Sequence, residues 1–367
     1  MAGTAVVHSH RQVVQVGGPQ SNNNIHLEAT ASHLLPVTSF TAEEVVTPLL
    51  DNGRRGPMAA DFQQPAGVKL VNISIEGAVQ SDPGTGLGFG VGLFLRNIFG
   101  GVDVATSITN NLWNHDFQLP AVPAIEYLSI ENGDTTIAAG NRTFTGCRVQ
   151  ELVFAWNAGE GVLTYNATLT GAAVSIGAIA NLNAQAATLE PAMEGWRPEV
   201  AFDAAWNPGT AEFTKMISAE WTLSRPVSVL YTGQNTQVAN QIMLGPLACT
   251  VAMVMDFDNT VELVKYRAAS EVKITNAFVK NRSANNNTIR RFIIGNSTFS
   301  LIDNPVTVDV TGEHATIAIG ARAMYNTDAS VIITDASITG DASMSLNAGP
   351  VHVRLTDLKT AVYGSTG

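Results

Sequence analysis

Apolar and polar residues alternate with a period of two along most of the chain. Val, Ile and Leu alternate with polar residues from 71 to 76, and apolar residues alternate with Thr and Asn from 163 to 170. A period of two places one set of side chains on a buried face and the other toward water or a partner. Because Val and Thr are abundant here, the pattern predicts a mainly β protein.

One predicted strand contains an irregularity. In the segment from Gly146 to Trp156, the apolar residues first fall on odd-numbered positions, as at Val149. After Gln150 and Glu151 the largest apolar residues fall on even-numbered positions, beginning with Leu152. An extra residue in one strand of an antiparallel pair produces such a slip. We therefore expect a β-bulge at this position.

Two segments have a helical period. Apolar residues from Leu87 to Ile98 follow the spacing of an amphipathic helix, although the glycines from 86 to 92 weaken its start. A second helix is predicted from Thr260 to Ser270, with one face formed by Val261, Val264 and Ala268.

The order strand, long loop, strand and short helix occurs twice, which suggests an internal duplication. The long loops run from Asp51 to Gly67 and from Tyr231 to Gly245. The first 32 residues have no sustained period, and we expect an arm that is flexible alone or ordered only against a partner. The predicted division is an arm (1–32), a first β domain (33–180), a linker (181–194), a second β domain (195–328) and a C-terminal β extension (329–367).

Composition narrows the classes of function. The chain has 367 residues, of which 45% are apolar and only 14% charged, with a formal net charge of −11. An acidic chain without a basic block lacks the charge pattern of a nucleic-acid binder. A low content of charge fits a surface that is largely covered by neighbours, although a monomer rich in Thr, Asn and Ser has the same composition.

Cysteine usage and targeting signals indicate a protein assembled in a reducing cytoplasm. Cys147 and Cys249 are the two cysteines and form no disulfide framework. The first twelve residues lack the basic and apolar regions of a signal peptide. The most apolar stretch, Gly171 to Leu182, is shorter than the roughly 20 residues that a membrane helix needs.

No motif amounts to an active site, and we expect no catalytic residue, cofactor or metal. The glycine run from 84 to 92 lacks the βαβ context of a dinucleotide site and favours a turn. His8 and His10 have no accompanying ligands, and a solvated arm is the better interpretation. Asp256 to Asn259 resembles the start of a calcium loop without its glycine and glutamate, and an Asx turn before the second helix explains it better.

Three passages, taken in order, resemble the tail tube proteins of long-tailed bacteriophages and prophages. Their most specific parts are the Gly-Cys-x-Val strand, an Ala-Gly-Glu-Gly turn and an Ala-Glu-x-Thr-Leu-Ser-Arg strand. The resemblance covers roughly residues 33 to 260. The passages are Leu35–Phe40 with Asp51–Gly56 and Val71–Gly77; Phe144–Leu152 with Ala158–Gly161 and Thr168–Gly171; and Gly195-Trp196 with Ser218–Arg225.

The resemblance implies two tandem tail-tube β-sandwich or barrel domains, each with a short flanking α-helix. In that family, domains join edge to edge into a six-fold ring with a continuous β-barrel as inner wall, and the rings stack into a tube. Two domains per chain would need three copies for a pseudo-hexameric ring. Six copies, with one domain decorating the outside, is the alternative, and the C-terminal extension could be such a decoration.

The resemblance also implies a virion protein of the tail, assembled in the host cytoplasm. Its implied partners are further copies of itself, a tape measure protein, and tail terminator and tip proteins. DNA would pass through the lumen without specific binding, helped by a negative wall. Another β-rich virion component, such as a baseplate, tail terminator or head-decoration protein, is the alternative function. A β-sandwich hydrolase is a third class of function, but the sequence shows no set of acid, base and nucleophile that such an enzyme would need.

The two long loops and the arm are candidates for contact between rings. Arg54, Arg55 and Asp61 in the first loop could form ion pairs, and Phe62 could be an apolar anchor. In the second loop the candidates are Gln234 and Asn235. The alternative is that each loop covers its own domain.

Overall fold

The computed structural model describes most of the chain. The described residues are 12–20, 31–48, 66–81, 89–101, 103–108, 112–134, 140–177, 179, 190–204, 206–209, 213–233, 237–280, 289–301, 306–312, 314–325, 335, 338, 341, 349–359 and 363.

The described residues form a mainly β protein, as predicted. The strands are β1 Gln12–Gln20, β2 Ala31–Leu35, β3 Ser39–Pro48, β4 Ala66–Ala78, β5 Val104–Ser107, β6 Trp113–Phe117, β7 Tyr127–Asp134, β8 Arg142–Asn157, β9 Glu160–Gly171, β10 Ala173–Ile176, β11 Pro198–Phe202, β12 Met216–Ser224, β13 Val227–Leu230, β14 Gln241–Leu244, β15 Ala248–Asp256, β16 Glu271–Lys280, β17 Arg290–Ser300, β18 Thr307–Asp309, β19 Thr316–Ala323 and β20 His352–Asp357. The helices are α1 Gly92–Phe99 and α2 Val261–Arg267.

Eight strands follow one another in a single antiparallel layer, here called the long sheet. Their order is β3-β4-β9-β8-β12-β15-β19-β18. Strands β4 and β9 bury every second side chain, as their period predicts. The predicted bulge is confirmed in β8, since the register with β9 shifts between Val149 and Glu151. A similar shift between Met216 and Ser218 interrupts the alternation of β12, so that Met216 rather than Ile217 is buried.

A second layer, here called the second sheet, covers the inner face of the long sheet and is joined to it where Phe299 and Ser300 of β17 pair with Ala323 and Arg322 of β19. Its order is β5-β6-β20-β17-β16-β11, all antiparallel. Aromatic contacts join the two layers, such as Phe154 with Phe292 at 4.7 Å between ring centroids. One hydrophobic cluster runs through both halves of the chain. The predicted division into two domains stays a prediction, but the halves share both a sheet and a core.

The C-terminal strand corrects one expectation. β20 lies between β6 and β17 in the middle of the second sheet, and all six of its residues are buried. This part of the predicted C-terminal extension is therefore integral to the fold and does not decorate its outside. The strand joins the first half of the chain to the second.

The predicted N-terminal arm also contains a strand of the fold. β1 pairs with β2 and with β7 of the same chain, and Val14 and Val16 are buried. Residues 12–20 are therefore ordered within the chain rather than only against a partner. No strand period is visible in this segment because Gly17, Gly18 and Pro19 interrupt the alternation.

The second long loop is partly structured as well. Residues 241–244 form β14, which pairs with β13 in a hairpin. This hairpin packs on the first half of the chain through a cluster that includes Tyr127, Ala172 and Ile242. The described part of the loop therefore covers its own chain.

The two helices occur close to their predicted positions but differ in burial. Seven residues of α1 are buried, and its C-terminal Gly100 adopts a left-handed conformation with φ +93°. In α2 the shared apolar face points outward, with Val261 51% and Val264 59% exposed. Glu262 is buried instead, 3.7 Å from the Lys215 ammonium.

Candidate assembly surface

The outward face of the long sheet is lined by small and polar side chains. Residues Glu76, Asn166, Val153, Thr222, Thr250 and Arg322 form one row across six strands by direct pairing. A neighbouring row runs through Thr164, Ala155, Glu220 and Ala252. A groove of about 680 Å³ crosses this face and includes both alanines in its lining. The face is therefore concave and presents little bulk.

The same face is acidic. Glu43, Glu76, Glu151 and Glu220 occupy outward positions of four different strands. Among the described residues paired in the long sheet, the basic residues on this face are Arg322 on β19 and Arg148 on β8, of which Arg148 is buried. Part of the net charge of −11 is thus concentrated on one surface, which disfavours contact with phosphate groups.

The long sheet ends in two strands that each have one described neighbour. β3 pairs with β4, and β18 pairs with β19. Within the described residues, the outer edges of both strands have no strand partner. A free edge presents unpaired N–H and C=O groups that can accept another strand.

At the middle of the long sheet, the two halves of the chain meet through β8 and β12. Seven residue pairs, from Ser218↔Asn157 to Ser224↔Glu151, join these strands without a break. Arg225 follows directly and donates from Nε to the Gly245 carbonyl (2.7 Å) and from Nη1 to the Ile98 carbonyl (2.9 Å). Its side chain thereby ties the second half to the end of α1.

A buried asparagine supports the same junction from the second sheet. Asn276 accepts hydrogen bonds at Oδ1 from the indole N–H groups of Trp156 (3.3 Å) and Trp221 (2.6 Å). The two tryptophans lie on β8 and β12. A single amide oxygen therefore satisfies a buried donor from each half of the chain.

We expect Asn276→Leu to destabilise the protein by about 2–4 kcal/mol, because two buried N–H groups lose their acceptor. Chemical denaturation followed by tryptophan fluorescence measures this loss. Asn72→Leu, at an exposed position of β4, is the control and should change the free energy of unfolding by less than about 0.5 kcal/mol. Equal effects of the two changes would contradict the role of Asn276.

Comparison with known proteins decides the family. The model of the phage tail tube protein family matches residues 28–342, which is most of the chain. The chain belongs to the phage tail tube protein family. A comparison with curated proteins found no match. The resemblance noted in the sequence is thereby confirmed.

Membership places this tail tube protein among structural components of a virion rather than among enzymes. A tail tube is built from copies of its subunit, so membership implies self-assembly into a tube. Neither helix among the described residues is long and apolar enough to cross a membrane.

The six interface candidates of the sequence analysis lie outside the described residues. Arg54, Arg55, Asp61 and Phe62 belong to the segment 49–65, and Gln234 and Asn235 to the segment 234–236. Their contact with other copies stays a prediction. The free edges and the junction at Asn276 were not identified from the sequence, although Glu220 and Arg225 lie in the quoted Ser218–Arg225 motif.

Two chemical motifs of the tail tube protein have structural explanations. A Cβ atom at Gly92 would lie 2.2 Å from the Tyr363 ring, so the end of the glycine run makes room for this tyrosine. Asn259 Oδ1 accepts a hydrogen bond from the Val261 N–H (3.0 Å), which confirms the Asx turn before α2. Cys147 and Cys249 are buried free thiols, and burial raises the pKa of Cys147 to about 12.

A buried ionic cluster holds the C-terminal segment in place. His115 Nδ1 lies 3.1 Å from Asp103, and Nε2 lies 2.9 Å from the Lys359 carbonyl and 3.5 Å from Asp357. Burial alone lowers the pKa of His115, but the charge of Asp357 and the hydrogen bond to Asp103 raise it to about 10. His352, in contrast, has its pKa lowered to about 4 by burial.

The shifted pKa values of His115 and His352 predict that the protein is most stable near pH 6.5, the ordinary pKa of histidine. The raised pKa of His115 contributes stability that is complete below about pH 6.5 and lost as pH rises toward about 10. The lowered pKa of His352 contributes stability that is complete above about pH 6.5 and lost as pH falls toward about 4. Melting temperature measured against pH should show both slopes.

Single variants separate the two contributions. His352→Gln should flatten the acidic slope and leave the alkaline one, and His115→Gln should do the reverse. An alkaline slope that persists unchanged in His115→Gln would contradict the charged state assigned to this histidine.

Proposed function

We propose that the chain is the major tail tube subunit of a long-tailed phage, and that three copies form each ring of a hollow tube through which DNA passes. The observation that carries this proposal is the long sheet with one free described edge at β3 and another at β18. Pairing of β18 with β3 of the next copy would repeat the in-chain junction of β8 with β12. Such a contact is heterologous, and a rotation that closes produces a ring.

The strand count supports a conduit. Each chain would contribute the eight strands of its long sheet, and three copies would make a barrel of twenty-four. Barrels of about 16–18 strands already enclose an aqueous channel. Closure would also remove the free edges, which are otherwise sites of aggregation.

The concave acidic face would then line the lumen. Its glutamates would repel the DNA backbone, and its small side chains would leave the channel open. Six copies per ring, with part of each chain outside, is the alternative arrangement. A tape measure protein, terminator and tip proteins are the further partners proposed from the family, with assembly in the host cytoplasm.

Cysteine labelling tests which face lines the lumen. In Ala252→Cys the new thiol lies on the concave face, and in Val104→Cys it lies on exposed β5 of the second sheet. We expect a maleimide attached to a globular protein to label both variants before assembly but only Val104→Cys in tubes. The native cysteines are buried and provide a low background. Equal labelling of Ala252→Cys in tubes would contradict the lumen assignment.

The mass of the isolated ring tests the number of copies. Mass photometry at low concentration should detect a species of three 38.7 kDa chains. A six-chain ring would support the alternative arrangement, and a monomer at every concentration would overturn ring formation.

A further inference from the structure

The exposed apolar residues of the chain are concentrated at the two ends of the long sheet. The hairpin rim is the end that contains the β8–β9 turn, the start of β12, the end of β15 and the start of β19. The opposite rim contains the starts of β4 and β15 and the ends of β3, β12 and β19. Of the large exposed hydrophobic residues described, most lie at one rim or the other.

At the hairpin rim, the exposed residues come from three elements. Trp196, 57% exposed, is placed beside β9 by the hydrogen bond from the Gly195 N–H to the Gly161 carbonyl (3.2 Å). Helix α2 begins just after β15 ends, and its outward face contains Val261 and Val264. Val310, 70% exposed, follows the end of β18.

The opposite rim has an apolar set of its own. Tyr325, 69% exposed, and Met324 follow the end of β19. Leu230 and Met243 lie on the β13–β14 hairpin, which follows β12. Val68 is exposed near the start of β4.

The contrast between the two helices indicates that the hairpin rim is covered by another molecule. α1 is buried within the chain, where Arg225 of the second half donates to its last turn. α2 packs Leu263 and Tyr266 against the core and buries Glu262 beside Lys215, but it leaves Val261 and Val264 more than half exposed. Single apolar residues are ordinary on a surface, but several large ones at the same end of a sheet, with a tryptophan among them, are typical of an interface.

We propose that the hairpin rim of one ring docks on the opposite rim of a copy in the next ring. This inference rests on the proposed ring. Barrel strands tilt about 35–45° from the barrel axis, so strand ends point toward neighbouring rings and strand edges toward neighbours in the same ring. Because the two rims differ, the contact is heterologous and does not close. Stacking of this kind gives an open-ended tube, as self-assembly of the family requires.

Aspartate substitutions on α2 test the proposal against a matched control. Val261→Asp/Val264→Asp should form rings by mass photometry but no tubes by electron microscopy, with an unchanged melting temperature. Val104→Asp, at an exposed valine away from both rims, should form rings and tubes. Tubes of normal length in the α2 variant, or loss of its rings, would overturn the rim assignment. Absence of rings from the unmodified protein would instead overturn the proposed function.

Cross-linking tests whether unlike rims meet. Trp196→Cys and Tyr325→Cys each add one exposed thiol to a chain whose own two cysteines are buried. With a long bismaleimide linker, tubes assembled from a mixture of the two variants should yield cross-linked dimers, and tubes of either variant alone should not. Dimers from a single variant alone, or none from the mixture, would contradict head-to-tail stacking.

Discussion

Arg354→Leu is expected to destabilise the protein by about 3–5 kcal/mol, because it leaves the carboxylate of Asp116 buried without its partner. Arg354 donates to Asp116 from Nε (2.6 Å) and from Nη2 (2.9 Å), and both side chains are buried. The pair joins β20 to β6. Its loss should therefore release the C-terminal strand from the centre of the second sheet.

The result is measured as the free energy of unfolding in denaturant, together with hydrogen exchange in β20. Arg267→Leu, at an exposed arginine of α2, is the control and should stay within about 0.5 kcal/mol of the unmodified protein. The double variant Arg354→Leu/Asp116→Leu removes both charges and should recover much of the loss. A loss for Arg354→Leu no larger than for the control would contradict the structural role of this pair.

A proline on the free edge of β3 is expected to abolish ring closure. Successive N–H groups of a strand point to opposite sides, so one of Glu43 and Glu44 donates toward β4 and the other toward the free edge. Proline has no N–H group. Of Glu43→Pro and Glu44→Pro, we expect one to destabilise the monomer and the other to keep its melting temperature but form no rings.

Prolines on a different edge strand show whether the loss of rings is specific to β3 or follows from a proline in any edge strand. Val104→Pro and Ala105→Pro place the same change on β5, which pairs with β6 at the margin of the second sheet. At least one of these variants should fold and assemble normally. Normal rings from both β3 variants would show that β3 does not pair with the next copy.

Much of the local structure follows from the sequence pattern. The alternation in β4 and β9, the bulge at Gln150 and the positions of both helices agree with the structure. These features depend on residues near one another in the chain. Strand β14 was missed because four residues are too few to establish a period.

What the pattern could not predict depends on distant partners. The central place of β20 follows from pairing with β6, more than two hundred residues earlier in the chain. The outward direction of the valines on α2 follows from the packing of Leu263 and Tyr266 against the core and the burial of Glu262 beside Lys215. Likewise, the acidic face exists because strand pairing brings four glutamates from separate strands to the same side of the sheet, which no single segment reveals.

The symmetry and density of assembled tubes show directly whether the long sheets of three copies close into one barrel. Cryo-electron microscopy of tubes assembled from the full chain should resolve stacked rings of three copies around an open lumen. In each ring, β18 of one copy should pair with β3 of the next, and Glu220 should face the lumen. Rings without β3–β18 pairing, or a lumen lined by the second sheet, would show that the long sheet does not form the wall of the tube.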